Sequence, residues 1–191
     1  MATKRRIQYP GAIYHVTVHA LDELWPFDDD VARELCLADT AAAFSKYGIE
    51  CHGYVLMTNH FHFCVRTPDG GGLPDAMQQL NSNVARRYNR RHKRRGRVLL
   101  APYHTVLIEE QSHLLEVARY DVLNPVRAGM CARPADYAWS SYRALAGLER
   151  RPPRFLTTRW IHAQLGGPAG YAAFVAEGAP APTVEGLLLA A

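Results

Sequence analysis

Hydrophobic and polar positions alternate along the chain in short segments with distinct periods. Ile13–Ala20 (IYHVTVHA) is β-branched and alternating, the pattern of a strand leaving the Pro10-Gly11 turn. Asp28–Asp30 offers capping and first-turn acids for a helix running to about Tyr47, with Gly48 as its C-terminal stop. Val31, Leu35, Ala38, Ala42 and Phe44 are its expected buried stripe. Ile49–Met57 and Phe61–Arg66 read as two strands joined tightly at Thr58-Asn59, a hairpin. After a loop at Pro68–Gly72, Leu73–Arg95 is expected as a long helix with Met77, Leu80 and Val84 on one side. Tyr103–Ile108 reads as a fourth strand. Glu110–Leu123 reads as a helix ended by Asn124-Pro125, because the residue before proline avoids the helical region.

That order, β-α-β-β-α-β and then a helix, predicts an α+β fold of the ferredoxin-like, split βαβ kind: an antiparallel sheet with helices packed on it. The later segments WSSYRALAG, TTRWIHAQLG and AGYAAFVAEG read as short helices broken by Pro and Gly. The final GAPAPTVEGLLLAA reads as loose, with LLL able to dock. The expected organisation is a main domain over 1–147 and a short helical C-terminal extension over 148–191.

A chain of 191 residues, 48% hydrophobic and 21% charged, is ordinary for a globular domain with a real core. No apolar run approaches the roughly 20 residues that span a bilayer. The opening MATKRRIQYPG has no apolar stretch behind its basic residues, so no secretory signal is expected. Cys36, Cys51, Cys64 and Cys131 are scattered without a CxxC pair, and read as reduced, mostly buried thiols of a cytoplasmic protein.

Charge changes the picture more. Net charge is only +4, yet residues 86–97 carry eight basic side chains and no acid: Arg86, Arg87, Arg90, Arg91, Lys93, Arg94, Arg95 and Arg97. The rest holds 14 basic against 18 acidic residues. One concentrated cationic segment suits a polyanion, since each neutralised phosphate releases condensed counterion. A solvated helix end explains a basic run equally well; Tyr88 and His92, able to stack on unpaired bases, favour nucleic acid.

His60 and His62 are the first candidate chemistry. Strand residues two apart project from one face, so both imidazoles can meet one metal ion, while Phe61 and Phe63 face the other way. An isolated His-x-His is also explained by two partly buried histidines bonded to backbone. Tyr120 and Asn124, four apart, share a helix face if the last turn stays helical, with Arg119 and Arg127 flanking the tyrosine as possible phosphate contacts. A phenol with pKa near 10 is a poor nucleophile unless a metal or base favours its anion, and a metal on His60 and His62 would do so. A zinc site from Cys51, His60, His62 and Cys64 is a weaker alternative, because the spacing matches no zinc pattern.

Together these segments resemble the HUH-type single-strand DNA transposases. LMTNHFHF is similar to their LMPNHxHL segment, RYDVLNPVRAG to RYIxxNPVRAG, and DYAWSSY to xxYxWSSY; YHVT and GYVLM fit in order. The likeness runs from about Tyr9 to Leu145, and NPVRA with WSSY points to the REP-associated tyrosine transposase branch. It implies His60 and His62 as metal ligands, Asn124 as a third ligand, Tyr120 as nucleophile, and Mg²⁺ or Mn²⁺ as the metal. It further implies a 5′-phosphotyrosine intermediate, and single-stranded or hairpin DNA as partner of a monomer or homodimer near the nucleoid. Lys4, Arg5 and Arg6 would join the basic segment on DNA. The chain departs from the pattern at His19-Ala20-Leu21, where Arg-Gly is usual, at Leu100–His104, and at Thr58 in place of proline. A catalytically silent nucleic-acid-binding regulator on the same fold is the alternative.

Overall fold

In the computed structural model, residues 9–69 and 71–178 are described; Lys4, Arg5, Arg6 and the C-terminal LLL lie outside them. Strands β1 (Ile13–His19), β2 (Glu50–Leu56), β3 (His60–Arg66) and β4 (His104–Ile108) form one sheet in the order β2-β3-β1-β4. Every neighbouring pair is antiparallel, with Thr17 opposite both His62 and His104, and His19 opposite His60. Helices α1 (Asp30–Tyr47) and α2 (Leu73–Arg91) fall where the split βαβ pattern places them. No helix among the described residues is long and apolar enough to cross a membrane.

The two faces of the sheet differ in chemistry because β1 and β3 alternate. Tyr14, Val16, Val18, Phe61, Phe63 and Val65 turn to one side and build the main core with α1 and α2. Phe44 and Phe63 meet edge to face at 5.3 Å, as do Phe27 and Phe61 at 5.7 Å. His15, Thr17, His60, His62 and Cys64 occupy the opposite face. That face is covered by α3 (Gln111–Arg127), through Leu114 and Val117 packed on Cys64 and Ile108.

Three expectations need correction. The buried stripe of α1 is Arg33, Cys36, Thr40, Ala43 and Phe44, whereas Val31 and Leu35 are 61% and 42% exposed. Alanines occur on every side of this helix and blur its period. Thr40 enters the core by bonding the Cys36 carbonyl at 2.8 Å, and Arg33 lies over the Trp139 ring. The start of α1 is as expected: Asp29 caps it, accepting from the Ala32 N–H at 2.8 Å, and Gly48 closes it at φ 65°. Second, α2 stops at Arg91, and Lys93 at φ 49° turns the chain, so Lys93–Arg97 lie on a connection. Third, α3 continues through Pro125 to Arg127. Proline has no N–H for the Asp121 carbonyl. However, Pro125 is buried, and bonds from Ala128 N–H to Asn124 and from Met130 N–H to Pro125 hold the following turn.

The C-terminal segments work on the edge strand and on α3. Leu56 N–H donates to the Trp139 carbonyl, Ser141 N–H to the Tyr54 carbonyl, and the Tyr137 hydroxyl to the Leu56 carbonyl. The WSSY segment thus covers the open edge of β2. Beyond the short helices Pro134–Asp136 and α4 (Tyr142–Leu145), α5 (Arg159–Leu165) and α6 (Pro168–Ala176) enclose a second apolar cluster. Its members include Ala118 and Val122 of α3 with Leu145, Ile161, Tyr171 and Val175. The four cysteines are free thiols, all but Cys131 buried.

Candidate metal centre and nucleophile

Five histidines stand on the α3 side of the sheet: His15 and His19 from β1, His60 and His62 from β3, and His104 from β4. All five line one cleft of about 470 Å³ together with Thr17, Tyr120 and Asn124. The structure therefore brings His60, His62, Tyr120 and Asn124 together. Because α3 stays helical past Pro125, Tyr120 and Asn124 remain one turn apart on the cleft side.

The His60 and His62 rings sit edge to face, with centroids 5.1 Å apart. The Nδ1 of His60 is 2.8 Å from Asn59 Oδ1; an amide oxygen only accepts, so Nδ1 carries the proton and Nε2 the lone pair. The Nδ1 of His62 is 3.1 Å from the Thr17 hydroxyl and 3.9 Å from Asp121 Oδ1. Burial, reinforced by His19, pushes the His60 pKa down to about 4, and burial with His15, His60 and His19 holds that of His62 far below its usual value. Both rings are thus neutral at ordinary pH, the form that ligates metal.

Behind His62 lies a group that sequence reasoning missed. Asp121 is fully buried, its Oδ1 accepts from His15 Nε2 at 3.1 Å, and its Oδ2 is buried without a hydrogen-bond partner among the described residues. The rings of His15 and His62 stack at 5.2 Å. His15, His62 and Asp121 offer ligand atoms all within 4.8 Å of one another, a set capable of coordinating a divalent cation. Cys51, His60 and Cys64 do not join it: the Cys51 thiol bonds the Gly53 carbonyl, and Cys64 lies among apolar neighbours. The signals were present in the chain. The alternation applied to His60 and His62 also puts His15, Thr17 and His19 on one face, and Asp121 falls on the apolar stripe of its helix, three residues after Ala118.

The two arginines flanking the nucleophile candidate separate. Arg119 is buried, bonded to Glu116 and to the Phe174 carbonyl, and stacked on the Phe174 ring, so it is committed to α6. Arg127 is exposed and lies over the Tyr120 ring, 4.9 Å from its centroid.

The basic segment divides similarly. Arg87 pairs with Asp39 and Arg91 with Asp29, both acids of α1 and its cap, while Arg86 bonds Asn83. Arg94 lies over the Tyr88 ring, which stacks on His92 at 4.2 Å. Arg90, Lys93, Arg95 and Arg97 are exposed and have no acidic partner among the described residues. Beyond Arg97 the chain returns to the metal-site end of β1, where Leu21 N–H donates to the Val98 carbonyl and Leu100 N–H to the His19 carbonyl.

The comparisons with known proteins agree with this layout. No curated protein matches the chain. Among solved structures, a REP-associated tyrosine transposase bound to a REP hairpin shares the fold, at a TM-score of 0.64 and 13% identity over 82% of this chain and 92% of that one. A candidate transposase from Deinococcus radiodurans R1 aligns over 63% of this chain and 95% of its own, at 19% identity and a TM-score of 0.43. The family profile described as "Transposase IS200 like" matches residues 10–120. That match takes in more than half of the sequence, from the turn before β1 to Tyr120 itself, and the chain belongs to the IS200-like transposase family.

Proposed function

We propose that this protein is a metal-dependent endonuclease and strand transferase of single-stranded DNA, acting through a 5′-phosphotyrosine on Tyr120. The observation that carries the reading is the shared cleft of His60, His62, Tyr120 and Asn124. Paired histidines with both Nδ1 atoms engaged leave two neutral Nε2 ligands, and Asn124 adds an amide oxygen. The donor set fits a divalent cation: Mn²⁺ accepts imidazole readily, whereas Mg²⁺ would meet one protein oxygen here, that of Asn124.

A cation held there would draw charge from the scissile phosphate and favour the phenolate. Tyr120 Oη attacks phosphorus in line; the P–Oη bond forms as the P–O3′ bond breaks, and the electron pair leaves with the 3′ oxygen. The phenol gives up one proton and the 3′ oxygen takes one up, leaving a free 3′-hydroxyl. Attack of a 3′-hydroxyl on the phosphotyrosine reverses these changes and rejoins a strand, without external energy because the phosphodiester's energy is conserved. Arg127, over the Tyr120 ring, holds the phenol's position and faces the incoming phosphate. Arg90, Lys93, Arg95 and Arg97 track the backbone toward the cleft, with Arg86 and Arg94 beside them. Residues 1–147 form the catalytic unit, and α5 and α6 of the extension that follows brace α3 through the second apolar cluster. By likeness to the hairpin-bound relative, a hairpin-forming palindrome is the target, in the cytoplasm at the nucleoid.

The test is nicking of end-labelled single-stranded hairpin oligonucleotides. Cleavage with Mg²⁺ or Mn²⁺ is expected, lost on chelation and in His60→Gln and His62→Gln. Binding without cleavage by the wild-type protein with either metal would instead support the silent regulator.

A further inference from the structure

The buried carboxylate of Asp121 has no part in the chemistry above, and its position is costly. An ion taken out of water carries a penalty of several kcal/mol unless it is well partnered. Asp121 has one firm partner, His15 Nε2 at 3.1 Å, while Oδ2 has none among the described residues. One bond to His15 does not by itself offset the burial of a carboxylate whose second oxygen has no partner among the described residues.

Its location gives it a use. Asp121 follows Tyr120 on α3 and reaches through the helix–sheet interface to His15 and, at 3.9 Å, to the Nδ1 of His62. We propose that Asp121 is a positioning residue: it holds His62 in the Nδ1–H tautomer, leaving Nε2 for the cleft, and pins α3 to β1 so that Tyr120 and the metal ligand are set by one side chain. The choice of Nε2 as the ligand atom rests on the function proposed above. Thr17 cannot fix the tautomer alone, because a hydroxyl accepts or donates as required. A carboxylate only accepts, and its field favours a proton on the nitrogen facing it. His15 anchors the same oxygen, Oδ1, that faces His62. At 3.9 Å the carboxylate acts on His62 through its charge, while the Thr17 hydroxyl makes the hydrogen bond; loss of a carboxylate behind a ligating histidine typically lowers metal affinity by about 10- to 100-fold.

The test uses the full chain with Asp121→Asn and Asp121→Ile, the second placing a well-packed apolar residue at the site. Long-range ¹⁵N–¹H correlation spectra of metal-free protein report the His62 tautomer, its signals identified by their absence in His62→Gln. The wild type is expected as Nδ1–H, with Nε2–H populated in Asp121→Ile. Mn²⁺ titration calorimetry, run well below the melting temperature of each variant, is expected to show at least about 10-fold weaker binding in Asp121→Ile. An unchanged tautomer in Asp121→Ile, or wild-type Mn²⁺ affinity beside a lowered melting temperature, would overturn the proposal by showing a purely structural role. Two Mn²⁺ per wild-type chain falling to one in either variant would also overturn it, making His15, His62 and Asp121 themselves a metal site. His60→Gln tests the cleft site separately: Mn²⁺ binding unaffected there would refute the cleft reading, while the tautomer measurement still decides the role of Asp121.

Discussion

At the scale of single residues, the site is defined by which atoms of each histidine are occupied. His60 and His62 were legible because strand alternation puts residues two apart on one face. The pairing of His15 with Asp121 was not, because it spans 106 positions of sequence and exists only once α3 lies on the sheet. Arg119 and Arg127 look equivalent in sequence, yet one is buried against Phe174 and the other lies over Tyr120. The depressed histidines give a pH prediction with a definite sign. His60 titrates near 4 when folded and near 6.5 when unfolded, and His62 and His19 are also lowered, chiefly by burial. Below pH 6.5 the unfolded chain therefore binds more protons than the native one, so stability is fully present above that pH and lost as pH falls toward 4. Denaturant titrations of metal-free protein should show this decline, and it should be shallower in a His60→Gln/His62→Gln double variant. An identical decline in both proteins would contradict the assignment.

At the scale of elements, type and order were readable and faces were less so. The hairpin at Thr58-Asn59, the cap at Asp29 and the stop at Gly48 have local causes. The inward face of α1 was not readable, because alanines surround the helix and packing against α2 and the sheet chooses the side. Continuation of α3 through Pro125 is likewise a tertiary effect, and it matters because it keeps Asn124 beside Tyr120. The corrected α1 face predicts stability changes that differ from the sequence reading at Val31 and Leu35 and agree with it at Phe44. Val31→Ala or Leu35→Ala should alter unfolding free energy by no more than about 0.5 kcal/mol, as at exposed sites. Phe44→Ala should cost about 3–5 kcal/mol through the cavity it leaves. Urea unfolding of the three variants checks this; large losses at Val31 and Leu35 would restore the original stripe.

At the scale of the whole molecule, the sheet separates two tasks. One face builds the core with α1 and α2, the other carries the histidine cleft under α3, and the basic turn after α2 joins the cleft where Val98 and Leu100 bond back beside His19. Charge counting located the cationic segment but not its division into paired and unpaired members, since Asp29 and Asp39 lie far away in sequence. If Arg90, Lys93, Arg95 and Arg97 contact phosphates, changing all four to Gln should reduce the slope of log affinity against log salt for single-stranded DNA by about 3, near 0.7 per contact. Arg87→Gln should act mainly on stability, leaving Asp39 without its ion pair and with only the Asn83 amide as partner. Equal salt slopes in the wild type and the quadruple variant would remove the turn from the DNA path. The most direct test of the whole account is peptide mapping by mass spectrometry after incubation with single-stranded hairpin DNA and Mn²⁺. The predicted result is a nucleotide adduct on Tyr120, absent in a Tyr120→Phe variant that still binds the DNA; an adduct on another residue, or one that persists in Tyr120→Phe, would contradict it.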